Sequence, residues 1–521
     1  MNLRVPALTP NASSSPVARP DQPSGRAFVL PLIVTTSLLA FALYAPVRQN
    51  PPLLWSFLGT GLVLLAWWAV LVASPLRRRA LTCAVELRPQ HYVQACAHTS
   101  IFLYWGWHWR PVYEYAYLIV AQLLFAYAFD ILLTWSQRNA YTLGCGPFPI
   151  IFSTNLFLWF KHEWFYLQFL MLAVGFAAKA LIRWNRDGRR THIFNPSSFM
   201  LTLFSGALLL TGTTHVTWGQ DIAVTQFYPP HMYLFLFLIA LPGQLLFGVT
   251  TMTMSAVVTT YLFGVVYFAL TGTYYFFDSY IPIAVFLGMH LLFTDPSTAP
   301  RTEGGRMCFG ALYGLSTVAL YELLGLAGLP TFYDKLLQVP LLNLSVIAID
   351  RAVRSTTLKR FDPGRLLPSI SGRSRHLAYI SVWAVVFSLM SAVQGVGDRH
   401  PGQWLPFWQQ ACLEERAGAC RYLGQMYATY CRAGSEWSCR ELDRLETGGA
   451  RATARATEST SAAAPGVNGQ GTATPPLEDL PIVLRGSKGP ITDRRPASLR
   501  ARACVQGWLD SCGEPASSRL E

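Results

Sequence analysis

The chain has 521 residues, of which 52% are hydrophobic and only 13% are charged. Soluble domains carry about 25% charged residues, so this composition excludes an ordinary soluble enzyme and predicts an integral membrane protein. The formal net charge of +13 does not require a nucleic-acid partner, and we expect none. The basic residues lie beside apolar stretches, where they set membrane topology and attract anionic lipid headgroups.

Apolar stretches recur along residues 27–394. Because about 20 such residues cross a bilayer as a helix, the predicted fold class is all-α, a transmembrane bundle of about 11–13 helices in a lipid bilayer. The spans are placed at residues 27–47, 53–75, 93–109, 113–135, 147–160, 164–182, 197–212, 231–249, 252–271, 276–294, 307–328, 336–350 and 376–394. Residues 1–26, rich in Pro and Ser, predict a disordered cytoplasmic N-terminus without a cleavable signal.

Basic residues predict the orientation of these spans. With the N-terminus in the cytoplasm, the cytoplasmic segments hold 21 Lys and Arg residues and the opposite loops hold four. Cytoplasmic loops of membrane proteins carry such an excess. The chain is therefore predicted to lie in a bacterial inner membrane, and an odd number of spans then places its C-terminus in the periplasm.

Two acidic residues, Asp130 and Glu322, fall deep within predicted spans. Burying a carboxylate in lipid is costly, so each is a candidate for an ion or proton pathway. The alternative is a pair with a polar group of a neighbouring helix. His98, His108 and His290 could ligate haem by residue type, but no two of them share a repeated, facing spacing.

The tail after the last span is organised by its cysteines. Residues 395–446 are predicted as a Cys-paired helical segment in the periplasm, 447–500 as a disordered linker and 501–521 as a second Cys-paired segment. The pairs, each eight positions apart, are Cys412 with Cys420, Cys431 with Cys439, and Cys504 with Cys512. Such pairs predict disulfides and an oxidising compartment. A zinc site is the weaker alternative, because C-x-x-C spacing and paired histidines are missing.

The sequence from Ala411 to Tyr427 contains the first cysteine pair and resembles a cysteine-rich Sel1-like repeat. In that family two such cysteines bridge the ends of adjacent short helices. The spacing of the three pairs matches degenerate fragments rather than an intact solenoid. A periplasmic protein is the candidate partner of the tail.

Two polar hinges interrupt the apolar part, and in each an Asn or Asp is followed by Pro and two hydroxyl residues. An Asn or Asp N-cap before Pro predicts a helix start, whose N–H groups and positive dipole end suit a phosphate. The candidate cofactor-binding residues are His192, Asn195, Ser197, Ser198, Thr294, Asp295, Ser297 and Thr298. The alternative is two ordinary capped helix starts, and their similar form indicates an internal duplication.

Several segments carry a resemblance to a family of membrane electron-transport proteins. They are Arg88–Gln94 with Trp105–Gly106, His192–Pro196, Thr294–Pro296, and the run from Gly305–Gly310 to Ile349–Asp350. They resemble the RnfD/NqrB family, the flavin-carrying membrane subunits of the Rnf complex and of the sodium-pumping NADH:quinone reductase, and its shorter relatives from enediyne-type gene clusters. The resemblance implies a helix bundle that binds flavin and passes electrons, with ion coupling, beside other subunits of a membrane redox complex.

One motif of that family is missing from this chain. Family members attach FMN covalently to the threonine of a Ser-Gly-Ala-Thr-like motif, whereas here Ser205-Gly206-Ala207 continues with Leu208. We therefore expect FMN or riboflavin to bind non-covalently, with the hinge residues as phosphate contacts. The alternative is a permease-like or scaffold membrane protein without a redox cofactor, which anchors a periplasmic protein-docking tail.

Overall fold

The computed structural model describes residues 26–74, 81–186, 188–227, 229–355, 362–366, 372–393, 400–403, 405–432, 438–445 and 447. The predicted N-terminal segment 1–26, apart from Arg26, therefore lies outside the described residues. So do the predicted linker 447–500, apart from Thr447, and the segment 501–521 with the pair Cys504 and Cys512.

The described residues are mainly helical, as predicted. The helices are α1 (Arg26–Ala40), α2 (Ala45–Arg48), α3 (Pro51–Ala73), α4 (Pro89–His108), α5 (Pro111–Glu114), α6 (Ala116–Arg138), α7 (Pro147–Asn155), α8 (Phe165–Leu181), α9 (Pro196–Thr211), α10 (Gly219–Thr225), α11 (Met232–Phe247), α12 (Thr250–Thr271), α13 (Ile283–Leu291), α14 (Glu303–Leu326), α15 (Val339–Val353), α16 (Pro363–Leu366), α17 (Gly372–Ala392), α18 (Leu405–Leu413) and α19 (Ala419–Arg432). The strands are β1 (Thr82–Val85), β2 (Ala140–Leu143), β3 (Arg183–Arg186) and β4 (Arg189–His192).

Several of these helices have the length and composition of membrane spans. Within the described part of the chain, seven are long and apolar enough: Pro51–Ala73, Ala116–Arg138, His162–Leu181, Thr250–Thr271, Glu303–Leu326, Thr331–Val353 and Ser374–Ala392. Three further apolar helices are shorter: Ala27–Leu43, Pro196–Thr211 and Met232–Phe247. The protein is therefore a multi-pass membrane protein.

Two of the predicted spans are not continuous membrane-crossing helices. The stretches 147–160 and 276–294 contain only the nine-residue helices α7 and α13. At about 1.5 Å per residue such a helix is roughly 13 Å long, less than half of the ~30 Å hydrocarbon core. The predicted count of about 11–13 spans is therefore too high for full-length helices, because a hydropathy pattern does not register where a helix stops inside an apolar stretch.

The four strands are an addition to the all-α prediction. Strands β1 and β2 pair in parallel, whereas β3 and β4 form an antiparallel hairpin with Arg183 opposite His192 and Arg186 opposite Arg189. Gly188 has a φ of +74°, which glycine adopts at little cost. This hairpin joins α8 to α9 and places Arg186 and His192 at the same end of the bundle.

The order of helix lengths recurs along the chain. Apart from short α5 and α10, helices α4 and α6–α9 have 20, 23, 9, 17 and 16 residues, and helices α11–α15 have 16, 22, 9, 24 and 15. The two predicted hinges, however, occupy different junctions in this order, between α8 and α9 and between α13 and α14. Their similar sequences therefore do not mark equivalent positions of a duplicated unit.

Helices α12 and α14 approach closely where α14 carries glycine. A Cβ atom on Gly310 would lie 2.1 Å from the carbonyl oxygen of Met252, and one on Gly314 would lie 2.8 Å from that of Ala256. Small residues at such contacts allow two membrane helices to bring their backbones together.

The chain divides into two compact units. The first comprises Met1–Gln226, Tyr233–Thr260 and Ile283–Ser388, and the second comprises Phe227–Met232, Tyr261–Pro282 and Leu389–Glu521. The predicted boundary between residues 394 and 395 is close to the start of the last segment. Residues 261–282, which the sequence pattern assigned to the bundle, belong to the second unit.

Two disulfides hold the helices of the second unit together. Cys412 near the end of α18 is bonded to Cys420 at the start of α19, and Cys431 near the end of α19 is bonded to Cys439 in the helical residues 438–445. Both predicted pairings are confirmed, and these cysteines are therefore not zinc ligands.

An aromatic cluster forms the core of the second unit. The fully buried Trp408 contacts Tyr422 at 4.5 Å and Phe277 at 5.7 Å between ring centroids, and Phe277 stacks on Tyr422 at 4.0 Å. Aromatic burial and the disulfides together stabilise a helical unit of this small size.

The glycine contact on α14 gives a first prediction. Gly310→Ala should lower the stability of the folded protein by about 1–3 kcal/mol, because a backbone carbonyl cannot move aside as a side chain does. Thermal unfolding of the purified protein in detergent measures this effect. The matched control is Gly206→Ala on α9, where a Cβ atom meets no neighbour within 4 Å. The control should be neutral or stabilising by up to about 1 kcal/mol, and equal melting temperatures for the two variants would contradict the prediction.

Candidate functional site

The two predicted hinges lie against each other in the first compact unit. The imidazole Nε2 of His192 is 3.0 Å from the carboxylate of Asp295, and the side-chain amide of Asn195 donates to the carbonyl oxygen of Leu292 at 2.7 Å. We call His192, Asn195, Asp295 and the nearby Asn343 the hinge cluster. The cluster joins segments about 100 residues apart in the sequence.

The predicted helix start at Asn195 is confirmed. The Asn195 side-chain oxygen accepts hydrogen bonds from the backbone N–H groups of Ser197 at 3.1 Å and Ser198 at 3.3 Å, with Pro196 as the first residue of α9. These are the N–H groups that a helix start leaves without intrahelical partners. In this structure they are used by the cap itself.

The predicted helix start at Asp295 is wrong. Its carboxylate accepts from the backbone N–H of Ser297 at 2.9 Å, but the residues after it form a turn. The next helix, α14, begins at Glu303 and is capped by Thr302, whose hydroxyl oxygen accepts from Gly305 N–H at 3.1 Å. Pro300 explains the difference, because the residue before a proline is driven out of the helical conformation.

Four hydroxyl groups of the two hinges bond to protein atoms. Ser197 accepts from Ser153 at 2.7 Å, and Ser198, which is fully buried, donates to the carbonyl oxygen of Leu292 at 3.4 Å. Thr294 donates to the carbonyl oxygen of His290 at 3.1 Å, and Thr298 donates to that of Asp295 at 3.3 Å. The predicted site residues therefore stabilise one another at this end of the bundle.

Asn343 belongs to the hinge cluster and was not among the predicted site residues. Its side-chain oxygen accepts from the backbone N–H of Asn195 at 3.1 Å, and its amide donates to the carbonyl oxygen of Thr298 at 3.4 Å. The side chain is fully buried. A single Asn within the apolar stretch of α15 is the signal that could have identified it, because a buried amide requires partners.

A buried ion pair lies beside the hinge cluster. A guanidinium nitrogen of Arg186 is 2.6 Å from the carboxylate of Asp350, and both side chains are less than 8% exposed. The same carboxylate accepts from the backbone N–H groups of Arg301 and Thr302 at 3.1 Å and from the Thr302 hydroxyl at 2.9 Å. Arg186 also donates to the carbonyl oxygen of Ala299 at 2.9 Å. The pair thereby fixes the chain that leads into α14.

An open groove of about 320 Å³ borders this ion pair. We call it the arginine groove, and its lining residues are Asn185, Arg186, Ile347, Asp350, Arg351 and Arg354. Small-molecule sites have volumes of roughly 300–1,000 Å³, so the groove is large enough for a ligand. Three arginines against one aspartate favour an anion, and guanidinium groups bind phosphate or carboxylate in a bidentate manner.

The two acids predicted for an ion pathway lie elsewhere. Glu322 is exposed near the end of α14, and Asp130 is half-buried on α6, where its carbonyl oxygen accepts from the Thr134 hydroxyl. Neither belongs to the hinge cluster.

A deeply buried acidic residue that sequence reasoning missed is Asp334. It pairs with Lys335 at 3.0 Å, and the two side chains are 2% and 3% exposed. The backbone carbonyl of Lys335 accepts from Tyr313, which lies near the middle of α14. Lys335 is one of the four basic residues that the charge count placed in loops opposite the cytoplasm. Its ion pair with Asp334 and its burial depend on the fold and were not predictable from that count.

The pKa of Asp295 reflects its position in the hinge cluster. Burial alone would raise this pKa, but the imidazole of His192 and the N–H of Ser297 bond to the carboxylate and outweigh that effect. The pKa therefore lies below its ordinary value of 3.8. The carboxylate is ionised at neutral pH and acts only as a hydrogen-bond acceptor.

Comparison with known proteins gives no match: no family model, no curated protein and no solved structure is significantly similar to this chain. Its function is therefore argued from its own residues and their geometry.

The buried ion pair gives a second prediction. Asp350→Asn keeps the size of the side chain but leaves the Arg186 charge buried without a counter-ion, which should cost about 3–5 kcal/mol of stability. Denaturant unfolding in detergent measures this cost. Glu86→Gln is the control, because it breaks an ion pair with Arg88 whose side chains are 46% and 56% exposed. Such exposed pairs contribute at most about 1 kcal/mol, so a similar loss in both variants would contradict the prediction.

The lowered pKa of Asp295 gives a third prediction. Because the folded-state pKa is below the unfolded value, ionised Asp295 stabilises the folded protein above about pH 4, and this contribution is lost as the pH falls further. Asp295→Asn should cost about 1–2 kcal/mol at pH 7 and remove that part of the acid sensitivity. Melting temperatures between pH 7 and pH 3 test both effects. Glu322→Gln, which removes an exposed carboxylate, should leave the profile unchanged, and an identical profile for Asp295→Asn would refute the assignment.

Proposed function

We propose that this protein is an integral membrane component of a flavin-dependent electron-transport complex, similar to the RnfD/NqrB family of membrane subunits. The observation that carries the proposal is the contact between the two hinges. His192 and Asp295 belong to separate segments that resemble this family, and their side chains lie 3.0 Å apart. Segments that carry one family's motifs are expected to meet if they serve one site.

The arginine groove is the proposed binding site for the flavin phosphate. It is open, it shares Arg186 with the ion pair beside the hinge cluster, and it presents the exposed guanidinium groups of Arg351 and Arg354. These groups would hold the phosphate of FMN, and the amide of Asn185 would add a neutral hydrogen bond. The bound flavin would supply the redox chemistry, while the chain binds and orients it.

The proposed location is a bacterial inner membrane. The hinge end of the bundle carries Arg183, Arg186, Arg189 and Arg190 on one hairpin, which the positive-inside rule assigns to the cytoplasm. The disulfides of the second unit favour an oxidising compartment, and we assign that unit to the periplasm. Other membrane subunits would then exchange electrons with this chain.

A second candidate function is a scaffold or permease-like protein without a redox cofactor. It is favoured by one observation, that the side chains of Asn195 and Asp295 and four hinge hydroxyl groups bond to protein atoms and so need no ligand to satisfy them. In that function the disulfide-bonded unit would bind a periplasmic protein, and the bundle would anchor it.

Purification in mild detergent from flavin-replete cells separates the two functions. The proposal predicts flavin absorbance that is released on denaturation, because the cofactor is bound non-covalently. Loss of the two exposed guanidinium groups in Arg351→Gln/Arg354→Gln should weaken FMN binding at least about tenfold, since each charge-assisted hydrogen bond contributes about 1.5–3 kcal/mol.

The control is Arg48→Gln/Arg110→Gln, which removes two exposed arginines that do not line the groove. It should retain full FMN binding. A colourless preparation with no response to reductant would refute the electron-transport function and favour the scaffold. Flavin that binds equally well to both double variants would refute the arginine groove as its phosphate site.

A further inference from the structure

A small enclosed cavity lies between α4, α11 and α13 in the first compact unit. Its volume is about 10 Å³, and about that much space is needed for one water molecule. The polar side chains on its wall are Gln94, Gln244, His290 and Thr294. A cavity of this size can hold water only where polar groups are there to bind it.

Gln244 provides such groups. Its side chain is 2% exposed, and neither its amide nitrogen nor its amide oxygen has a protein hydrogen-bond partner. Burying an amide without partners costs several kcal/mol in an apolar surrounding.

His290 provides the second group. Its Nδ1 lies 2.7 Å from the carbonyl oxygen of Phe286, and because a carbonyl only accepts, Nδ1 carries the hydrogen. The other nitrogen, Nε2, is therefore an acceptor, and it is buried without a protein partner. The ring is fixed between Phe286 at 4.2 Å and Trp383 at 6.1 Å between centroids.

We propose that this cavity is a water site that makes His290 a proton-exchanging group next to the hinge cluster. One water molecule donates a hydrogen bond to Nε2 of His290 and bonds to the amide of Gln244. Transfer of a proton from this water to Nε2 leaves a hydroxide beside the imidazolium, and both are neutralised when Nε2 returns the proton, so the exchange leaves no net change of charge. Thr294 lines the same cavity and immediately precedes Asp295 of the hinge cluster.

The surroundings of His290 favour water over an ion. The side chains that face it are Gln94 on α4, Gln244 on α11, Trp383 on α17 and Thr294 of the hinge, and none of these is charged. A cation in the cavity would have no carboxylate on the wall to bind. It would also occupy the position of the hydrogen-bond donor that Nε2 requires. The water site does not depend on a bound flavin.

The sign of a stability change tests the water site. Gln244→Leu replaces the amide by an apolar side chain of similar size. If the cavity holds water, the variant loses the amide that binds the water and leaves the water with fewer hydrogen bonds, so its melting temperature should fall by a few degrees. In a dry cavity it would remove an unsatisfied amide and its melting temperature would rise or stay the same, which would overturn the proposal.

Gln168→Leu is the matched control. Gln168 is fully buried, donates to Gln122 at 2.9 Å and accepts from the N–H of Phe160 at 3.1 Å. Gln168→Leu should lower the melting temperature whether or not the cavity holds water. Its shift is therefore the reference for the loss of a hydrogen-bonded buried amide. If Gln244 and His290 share one water molecule, the shift in Gln244→Leu/His290→Phe should also be smaller than the sum of the single shifts.

A spectroscopic measurement keeps the test decisive if His290→Phe does not fold. In the full-length protein with ¹⁵N-labelled histidine, the His290 signal should show proton exchange with water in the wild type and lose it in Gln244→Leu. The change between these two spectra identifies the signal without the His290 variant. No histidine signal that differs in water exchange between them would refute the water site.

Discussion

The carboxylate of Asp350 is the group on which the hinge end of the bundle depends. It lies near the end of α15, where the helix dipole disfavours a negative charge, and it is 5% exposed. A charge in that position is tolerated only when it is paired and hydrogen-bonded on all sides. Arg186 supplies the pair, while Arg301 and Thr302 supply backbone donors. The β3–β4 hairpin, the second hinge and the start of α14 are therefore positioned together.

The same hairpin connects the ion pair to the hinge cluster. Arg186 ends β3 and His192 ends β4, so one short antiparallel pair binds Asp350 on α15 and contacts the segment after α13 at Ala299 and Asp295. Asn195 then caps α9 and donates to the carbonyl oxygen of Leu292. Backbone groups at the ends of membrane helices require partners inside the protein. The hinge cluster supplies them at the ends of α9 and α13.

The sequence indicated those features whose cause is local. Composition was enough for membrane helices, and the cap at Asn195 was predictable because the Pro and the two serines that define it follow directly. The helix start predicted at Asp295 is absent. Pro300, five residues further on, keeps the residue before it out of the helical conformation, and this effect outweighs the capping preference of Asp295. Asn343, Asp334 and the lengths of α7 and α13 were not predictable in the same way. Their partners and their depth in the bundle are set by chain segments far away in the sequence.

The two nine-residue helices lead to the same place. Ser153 on α7 donates to Ser197, and the carbonyl oxygen of Leu292, directly after α13, accepts from Asn195. Both short helices are therefore hydrogen-bonded to the start of α9. Helix breaks inside a membrane protein are tolerated where they are buried in protein or line a cavity, and here the breaks are satisfied by buried side chains. Among the described residues, other polar groups have no protein partner, and the amide of Gln244 and Nε2 of His290 are two of them. The groove arginines Arg351 and Arg354 are exposed. The polar contacts at the start of α9 thereby hold these groups in position.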